Sequence, residues 1–397
     1  MALSVISLYS GMGGMDYGFQ SAGFKTAVCV EQDPICCQTI RLNRNWKILE
    51  GDINSFSSRK ILANAKLRKG EVDLLIAGPP CQPFSKSGYW ATGDSKRLDD
   101  PRADTLTSFL RVVRDTQPRT FVLENVKGFA FRDKDSGLQT ILDGVEEINS
   151  NSKTKYKVSW QVLNAAHYGV PQLRERIFLV ASKDGREFVF PDPTHGDHLN
   201  EPYRTAWDAI GDLPANPNDP SLTVTGKWSR LLKSIPEGQN YLHHTPYGRG
   251  KPLFGWRTRY WNFMLKLSKT HPSWTLQSTP GPSTGPFHWR NRLLTPQEMA
   301  RIQTLPEKLK FDTSHRNIQR MIGNAVPSLL AEVIGTEVRN QLLGSRRRSK
   351  DFKLLRPRCR KPFKSERVYP VHESYLSLID DHADHAGPGL GPRALQR

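Results

Sequence analysis

The chain has 397 residues, 37% of them hydrophobic and 24% charged, and carries a formal net charge of +18. No stretch approaches the ~18 consecutive apolar residues of a membrane-spanning helix, so a membrane protein is excluded at this level. A basic excess of this size points to a polyanionic partner, nucleic acid first among them. The five cysteines (Cys29, Cys36, Cys37, Cys81 and Cys359) show no Cys-x-x-Cys spacing, so neither a disulfide framework nor a metal site is expected. The apolar start, Val5-Ile6-Ser7-Leu8-Tyr9, is too short for a secretory signal and lacks a basic leader. The expected location is the cytoplasm, in association with the nucleoid.

Short apolar runs alternate with helical patterns from the first residues. Leu3–Tyr9 predicts a strand, followed by a glycine-rich turn and a helix over Met15–Ala22. Strands at Thr26–Val30 and Trp46–Glu50 flank a helix at Pro34–Asn43. Val72–Ala77 is apolar on both faces, as a buried parallel strand should be. A helix at Leu106–Thr116 precedes strands at Arg119–Leu123, Tyr156–Leu163 and Ile177–Ala181. Alternation of this kind predicts an α/β fold with a doubly wound, Rossmann-like parallel sheet. From residue 184 to 290 the chain turns rich in Pro, Gly, Trp and His without helical period, which predicts a separate loop-rich module. Helical patterns return at Thr295–Thr304, where Thr295 and Glu298 form a capping box, and at Pro327–Leu343.

The turn Tyr9-Ser10-Gly11-Met12-Gly13-Gly14 joins the first strand to the first helix, and its glycines allow a ligand close to the backbone. Glu31 ends the second strand, where a carboxylate can accept both hydroxyls of a ribose. Asp52, after the third strand, is placed to accept from an adenine amino group. Together they indicate a nucleoside cofactor. They do not separate NAD from S-adenosylmethionine.

The fourth strand runs into Gly78-Pro79-Pro80-Cys81-Gln82-Pro83-Phe84-Ser85. Ligands of open α/β sheets sit beyond the carboxyl ends of strands where the strand order reverses. If the first and fourth strands flank that point, Cys81 lies beside the glycine turn. A thiolate next to such a cofactor suits methylation of cytosine at C5, a poor nucleophile until a thiolate adds at C6 and N3 is protonated. Glu124-Asn125-Val126, after the fifth strand, supplies the acid. In Gln172-Leu173-Arg174-Glu175-Arg176, the residues Gln172, Arg174 and Arg176 share one strand face. One of them can bond the cytosine O2 while the others fix loops or phosphates.

These motifs, in this order, resemble the DNA (cytosine-5) methyltransferase family, and more closely its bacterial modification enzymes. The resemblance covers about residues 3–182 and 290–340. It includes the late motifs Arg292-x-Leu294-Thr295-Pro296-x-Glu298 and Gln319-x-x-Ile322-Gly323-Asn324-Ala325-Val326-Pro327. It implies that Cys81 attacks C6, that Glu124 engages N3 and that Arg176 contacts the flipped base, with Arg174 counted as catalytic beside them. It also implies S-adenosylmethionine as cofactor, lined by Tyr9, Gly11, Gly13, Gly14, Glu31, Gln32, Asp52, Ile53, Pro80, Leu106, Asn324 and Val326. Tyr9 stands where the family usually has Phe, so the ring is kept. Asn324 implies that the last helix returns to close the main domain. Gln82–Arg102 corresponds to the mobile catalytic loop, with Ser85, Lys86, Ser87, Gly88 and Arg97 suited to phosphate and groove contacts.

The implied partner is double-stranded DNA with the target base flipped out, bound by a monomer, with a cognate restriction endonuclease acting on the same site. The expected division is a catalytic domain at 1–183 completed by 312–343, a target recognition domain with hinge at 184–311, and a basic, disordered tail at 344–397. Arg249, Lys251, Arg257 and Arg259 are candidate contacts to bases or phosphates. The transfer-RNA branch of the family is an alternative, but its Cys-Phe-Thr is missing because no cysteine lies between Cys81 and Cys359. A catalytically inactive DNA-binding relative would not need Cys81, Glu124 and Arg176 together. An NAD oxidoreductase leaves the Pro-Cys-Gln and the two arginines unexplained. Residues 344–370 hold eleven Lys or Arg against Asp351 and Glu366, which predicts a solvated arm adding sequence-independent phosphate contacts.

Overall fold

The computed structural model describes residues 3–80, 104–130, 137–214, 218–344 and 352–379. Cys81, the Gln82–Arg102 loop and Arg346, Arg347, Arg348, Lys350 and Asp351 of the tail lie outside the described residues. The chain runs β1 (Leu3–Leu8), α1 (Gly14–Ser21), β2 (Phe24–Glu31), α2 (Pro34–Asn43), β3 (Lys47–Glu50), α3 (Ser58–Ala65) and β4 (Leu74–Ala77). It continues through α4 (Asp104–Thr116), β5 (Thr120–Val126), α5 (Gly137–Ser152), β6 (Lys157–Asn164), β7 (Gln172–Leu173) and β8 (Glu175–Ser182). After these come α6 (Ala206–Ile210), β9 (Ser273–Trp274), α7 (Pro296–Ile302), α8 (His315–Asn324) and α9 (Ser328–Leu342). Every predicted element is present, with ends displaced by no more than three residues. Helices α3, α5, α6 and α8 and the two-residue strands β7 and β9 were not predicted.

Local chemistry sets several of these boundaries. Asp33 caps α2 by accepting from the backbone N–H of Ile35 and Cys36, and Pro34 occupies the first helical position, where its missing N–H costs nothing. The capping box of α7 forms as expected: Thr295 Oγ1 accepts from Glu298 N at 3.1 Å, and Glu298 Oε2 accepts from Thr295 N at 2.8 Å.

Seven strands form one sheet in the order β3-β2-β1-β4-β5-β8-β6. β1 pairs in parallel with both β2 and β4, so the order reverses between β1 and β4. Six strands share one direction; β8 runs antiparallel to both β5 and β6. The all-parallel expectation fails only there. The connection from β6 to β8 holds a single 3-10 turn at Ala165–Tyr168 and the two-residue β7, too little chain for a parallel crossover.

Alternation along the strands feeds two cores. Ile6, Leu8, Leu75, Phe121 and Leu123 pack with Ile61, Phe109 and Ile141 of α3, α4 and α5 on one face. Val5, Leu74, Ile76 and Val122 pack with Phe19 of α1 and Leu330 and Ile334 of α9 on the other. A third cluster joins Met12 and Tyr17 to residues of α6, α7 and α8. A fourth joins Leu231, Tyr241, Phe254 and Phe263 to Tyr375. Among the described residues, no helix is long and apolar enough to cross a membrane.

The expectation of a solvated tail does not hold for residues 352–379. Tyr375 is buried in the fourth cluster, and Phe352, Leu354 and Leu355 pack on the second. The basic side chains that predicted an arm are partly spent inside the protein: Arg358 pairs with Asp208, and Arg356 with Glu307. Charge density alone could not reveal these acidic and carbonyl partners, which are distant in sequence.

Candidate active site

At the sheet edge formed by the carboxyl ends of β1 and β4, a cleft of about 610 Å³ opens. Gly78 N donates to Leu8 O at 3.4 Å, which holds the β4 exit beside the β1 exit. The cleft is lined by Tyr9, Gly11, Gly14, Glu31, Gln32, Asp52, Ile53, Pro80, Asn324 and Val326, all anticipated from sequence. Glu124 and Arg176 line it as well. Gly13 and Leu106 do not. Gly13 instead starts α1 with φ +89°, and Leu106 is buried in the core behind the cleft.

The loop after β1 is built for close approach. Gly11 has φ +55°, and a Cβ placed there meets no heavy atom within 4 Å, so it would project into open space beside the cleft. Glu31 anchors the loop: Oε2 accepts from Gly11 N at 2.6 Å and Oε1 from Asp33 N at 2.8 Å. Burial raises its carboxyl pKa against these two bonds. Each oxygen retains a lone pair for a further donor, as a ribose hydroxyl would require. A Cβ on Gly14 would lie 2.8 Å from Ala325 Cβ and 2.9 Å from Val326 O, so the Asn324–Val326 segment closes directly over the start of α1. Tyr9 adds a bond that Phe lacks, its hydroxyl donating to Thr105 O at 2.7 Å. A cleft of this size, with a ribose-type carboxylate and an open glycine turn, fits S-adenosylmethionine.

The other half of the cleft gathers a buried acid and an arginine. Glu124 sits on β5, only 7% exposed, and Arg176 Nε lies 2.9 Å from its Oε1. Register explains the pairing, since β8 runs antiparallel to β5 and sets Val126 opposite Arg176. Burial raises the Glu124 pKa, while Arg176 and then Arg174 pull it down; the net direction is upward. Asn125 Nδ2 donates to Pro79 O at 3.4 Å and ties the β5 exit to the Pro79-Pro80 segment.

Arg174 departs from its expected place. It is 1% exposed and does not line the cleft. Its guanidinium donates to Leu276 O at 3.3 Å, Gly323 O at 2.7 Å and Ala325 O at 3.1 Å. It therefore holds the Gly323–Ala325 backbone against the β7–β9 junction. Alternation could place Arg174 and Arg176 on one face; it could not show that β7 and β8 break between them at Arg174.

Sequence reasoning missed Asp16, Asp33, Thr105, Asn125 and Arg320, all of which line the cleft. Asp33 had a readable signal, an acidic residue before the proline that opens α2. It forms an ion pair with Arg320 of α8, which joins the cleft's two sides. Asp16 had none. Among the described residues, no cluster of His, Cys, Asp or Glu could hold a metal.

The solved S. pombe Dnmt2 methyltransferase aligns with a TM-score of 0.59 at 17% identity, over 85% of this chain and 98% of that one. The Spodoptera frugiperda DNMT2 structure gives 0.58 at 16% identity, over 84% and 98%. Likeness at this identity speaks for the fold alone, a Rossmann-like α/β sheet. A family model described as C-5 cytosine-specific DNA methylase matches residues 3–340, and the chain belongs to that family. It is a DNA cytosine-5 methyltransferase with S-adenosylmethionine as methyl donor. Curated relatives include the Type II methyltransferase M.SacI of Streptomyces achromogenes, 37% identical over 86% of this chain and 93% of that protein. The Type II methyltransferase M.AquIA of Picosynechococcus sp. is 44% identical over 61% of this chain and 100% of that protein.

Proposed function

We propose that the protein methylates C5 of a cytosine flipped out of double-stranded DNA, through a covalent bond between Cys81 Sγ and C6. The observation that carries this reading is Glu124, a buried carboxyl with an upward-shifted pKa, held by Arg176 in the same cleft as Pro80, the residue before Cys81. Bound in the cleft, S-adenosylmethionine supplies an electrophilic methyl group. The Cys81 thiolate adds at C6 while Glu124 delivers a proton to N3, which makes C5 an enamine carbon able to accept that methyl. Loss of the C5 proton to solvent water then drives elimination of the Cys81 thiolate, and the N3 proton returns to Glu124. Arg176 orients the Glu124 carboxyl and offers donors toward the cytosine O2. Glu31 takes the ribose, Asp52 the adenine amine, and the Gly11 turn the body of the cofactor. Arg174 serves as a positioning residue.

A thiol reaches C6 only when the base has left the stack, so flipping belongs to the proposal. Residues 184–311 are read as the target recognition domain with its hinge, and Arg249, Lys251, Arg257 and Arg259 as its contacts to bases or phosphates. The acid, its arginine and the cofactor cleft belong to one chain, which supports a monomer as the active unit. The net charge of +18 supports residence on DNA in the cytoplasm. The names of the Type II relatives support a cognate restriction endonuclease acting on the same site.

The test uses two variants and a trap. Cys81→Ser should abolish methyl transfer and keep cofactor affinity, and Glu124→Gln should slow transfer by roughly 10²–10⁴-fold. DNA carrying 5-fluorocytosine should form a stable adduct with the wild type, because fluorine blocks the final elimination. An adduct formed by Cys81→Ser, or wild-type turnover by Glu124→Gln, refutes the assigned roles.

A further inference from the structure

Residues 352–379 lie beyond the family match, which ends at residue 340, yet they are fastened at both ends by buried charges. At the near end, Glu332 of α9 is 1% exposed, and its two oxygens accept from Lys353 N and Leu354 N at 2.9 Å each. At the far end, Lys269 is 2% exposed, and its Nζ lies 2.6 Å from Glu366 Oε1. A buried ion is tolerated only with compensation of this kind. The segment thus gives the buried Glu332 carboxylate of the catalytic domain two backbone N–H donors, and through Glu366 it joins Glu237 in pairing the buried Lys269 of the 218–292 region.

Between and beyond these anchors the contacts continue. Arg358 donates to Asp208 Oδ2 at 2.7 Å and to Tyr203 O at 3.0 Å, and Trp207 Nε1 donates to Lys361 O at 2.9 Å. Tyr375, 4% exposed, stacks on Trp228 with centroids 5.8 Å apart and planes at 16°, and its hydroxyl donates to Lys227 O at 2.8 Å.

We infer that residues 352–379 form a strap that fastens the 218–292 module to the catalytic domain and fixes the angle at which the module meets DNA. Glu366 and Tyr375 are its positioning residues. The effect on DNA rests on reading that module as the recognition domain; the fastening does not. Without the strap the module keeps its β7–β9 pairing and the Arg174–Leu276 bond but loses its contacts around Lys269 and Trp228. It would then sample more orientations, and the cost of selecting one would appear as weaker DNA binding rather than slower chemistry.

The experiment uses the full-length protein with Tyr375→Ala and Tyr375→Phe, and Glu366→Gln as an independent second site. Limited proteolysis reports fastening, calorimetry reports cofactor affinity, and steady-state methylation gives KM for DNA and kcat separately. Tyr375→Ala should be cut within 218–292 about tenfold faster and show KM for DNA raised about tenfold, with kcat within about twofold and cofactor affinity unchanged. Tyr375→Phe keeps the stacked ring and should recover most of both effects. Should Tyr375→Ala fail to fold, Glu366→Gln must show the same split. Wild-type cleavage and wild-type KM in Tyr375→Ala, or in Glu366→Gln if that variant stands in for it, overturn the strap. Faster cleavage with wild-type KM keeps the strap and overturns the recognition reading of the module.

Discussion

Asp16 lies in α1 beneath the cofactor loop, fully buried, with Ser7 Oγ donating to it at 2.9 Å and Thr26 Oγ1 at 3.2 Å. Burial outweighs these bonds and raises its pKa from 3.8 to about 6. Its neutral form is thus favoured by the fold, and the associated stability is fully present below pH 3.8 and lost as pH rises through about 6. Asp16→Asn keeps an acceptor and removes the titration. Denaturant unfolding at pH 3.5 and pH 7.5 should show the variant gaining about 3 kcal/mol relative to wild type at the higher pH, from the difference between the two pKa values. A pH-independent difference would mean that the carboxyl is not desolvated as described. Asp16 carried no signal in sequence, because an acid in a first helical turn reads as an ordinary surface residue. Glu31, Glu124 and Arg176 were legible because each stands at a strand end, where position along the chain already fixes position in space.

The seam between α1 and α9 shows what elements add to residues. A Cβ built on Gly18 would lie 2.3 Å from Ser328 O and 2.5 Å from Ala331 Cβ, so the helices meet at a contact only glycine allows. That seam sets Asn324 and Val326 over the Gly11–Gly14 loop from the far end of the chain. Gly18→Ala should therefore destabilise the protein by about 1–3 kcal/mol, the range for overpacked cores, and weaken cofactor binding in step. Equilibrium unfolding and calorimetry check both; an unchanged stability would show that the seam opens without cost. The return of the last helix was implied by the late motif. The glycine contact that permits it was not, since a helical glycine has no pattern of its own. The antiparallel β8 was hidden for a related reason: strand direction depends on how much chain joins β6 to β8, and periodicity carries no direction.

At the scale of the whole molecule, the 184–290 region is the part expected to carry target choice, and exchanging it for the matching module of a relative tests this directly. The hybrid should methylate the donor's sequence at a rate near that of its parents. An active hybrid that keeps the original target would move recognition elsewhere. The strap bears on the design, because Glu366 reaches Lys269 and Arg290, and Tyr375 reaches Lys227. A module transplanted with its own strap should behave better than one without it.

The sequence by itself determined the Rossmann-like alternation, the order of strand-end motifs, and most residues of the cleft. These follow from local periodicity and from the rule that strand ends in an open α/β sheet converge on one edge. Only the tertiary structure decided that Arg174 braces a backbone, that Asp16 lies buried beneath the cofactor loop, and that the tail is a strap. Each of those depends on partners that another element brings up: carbonyls of Gly323 and Ala325 for Arg174, hydroxyls of Ser7 and Thr26 on the two flanking strands for Asp16, and the carboxylates of Glu332 and Glu307 for the tail. A charged residue looks the same in sequence whether water or a buried counter-ion completes it, and the folded chain alone determines which.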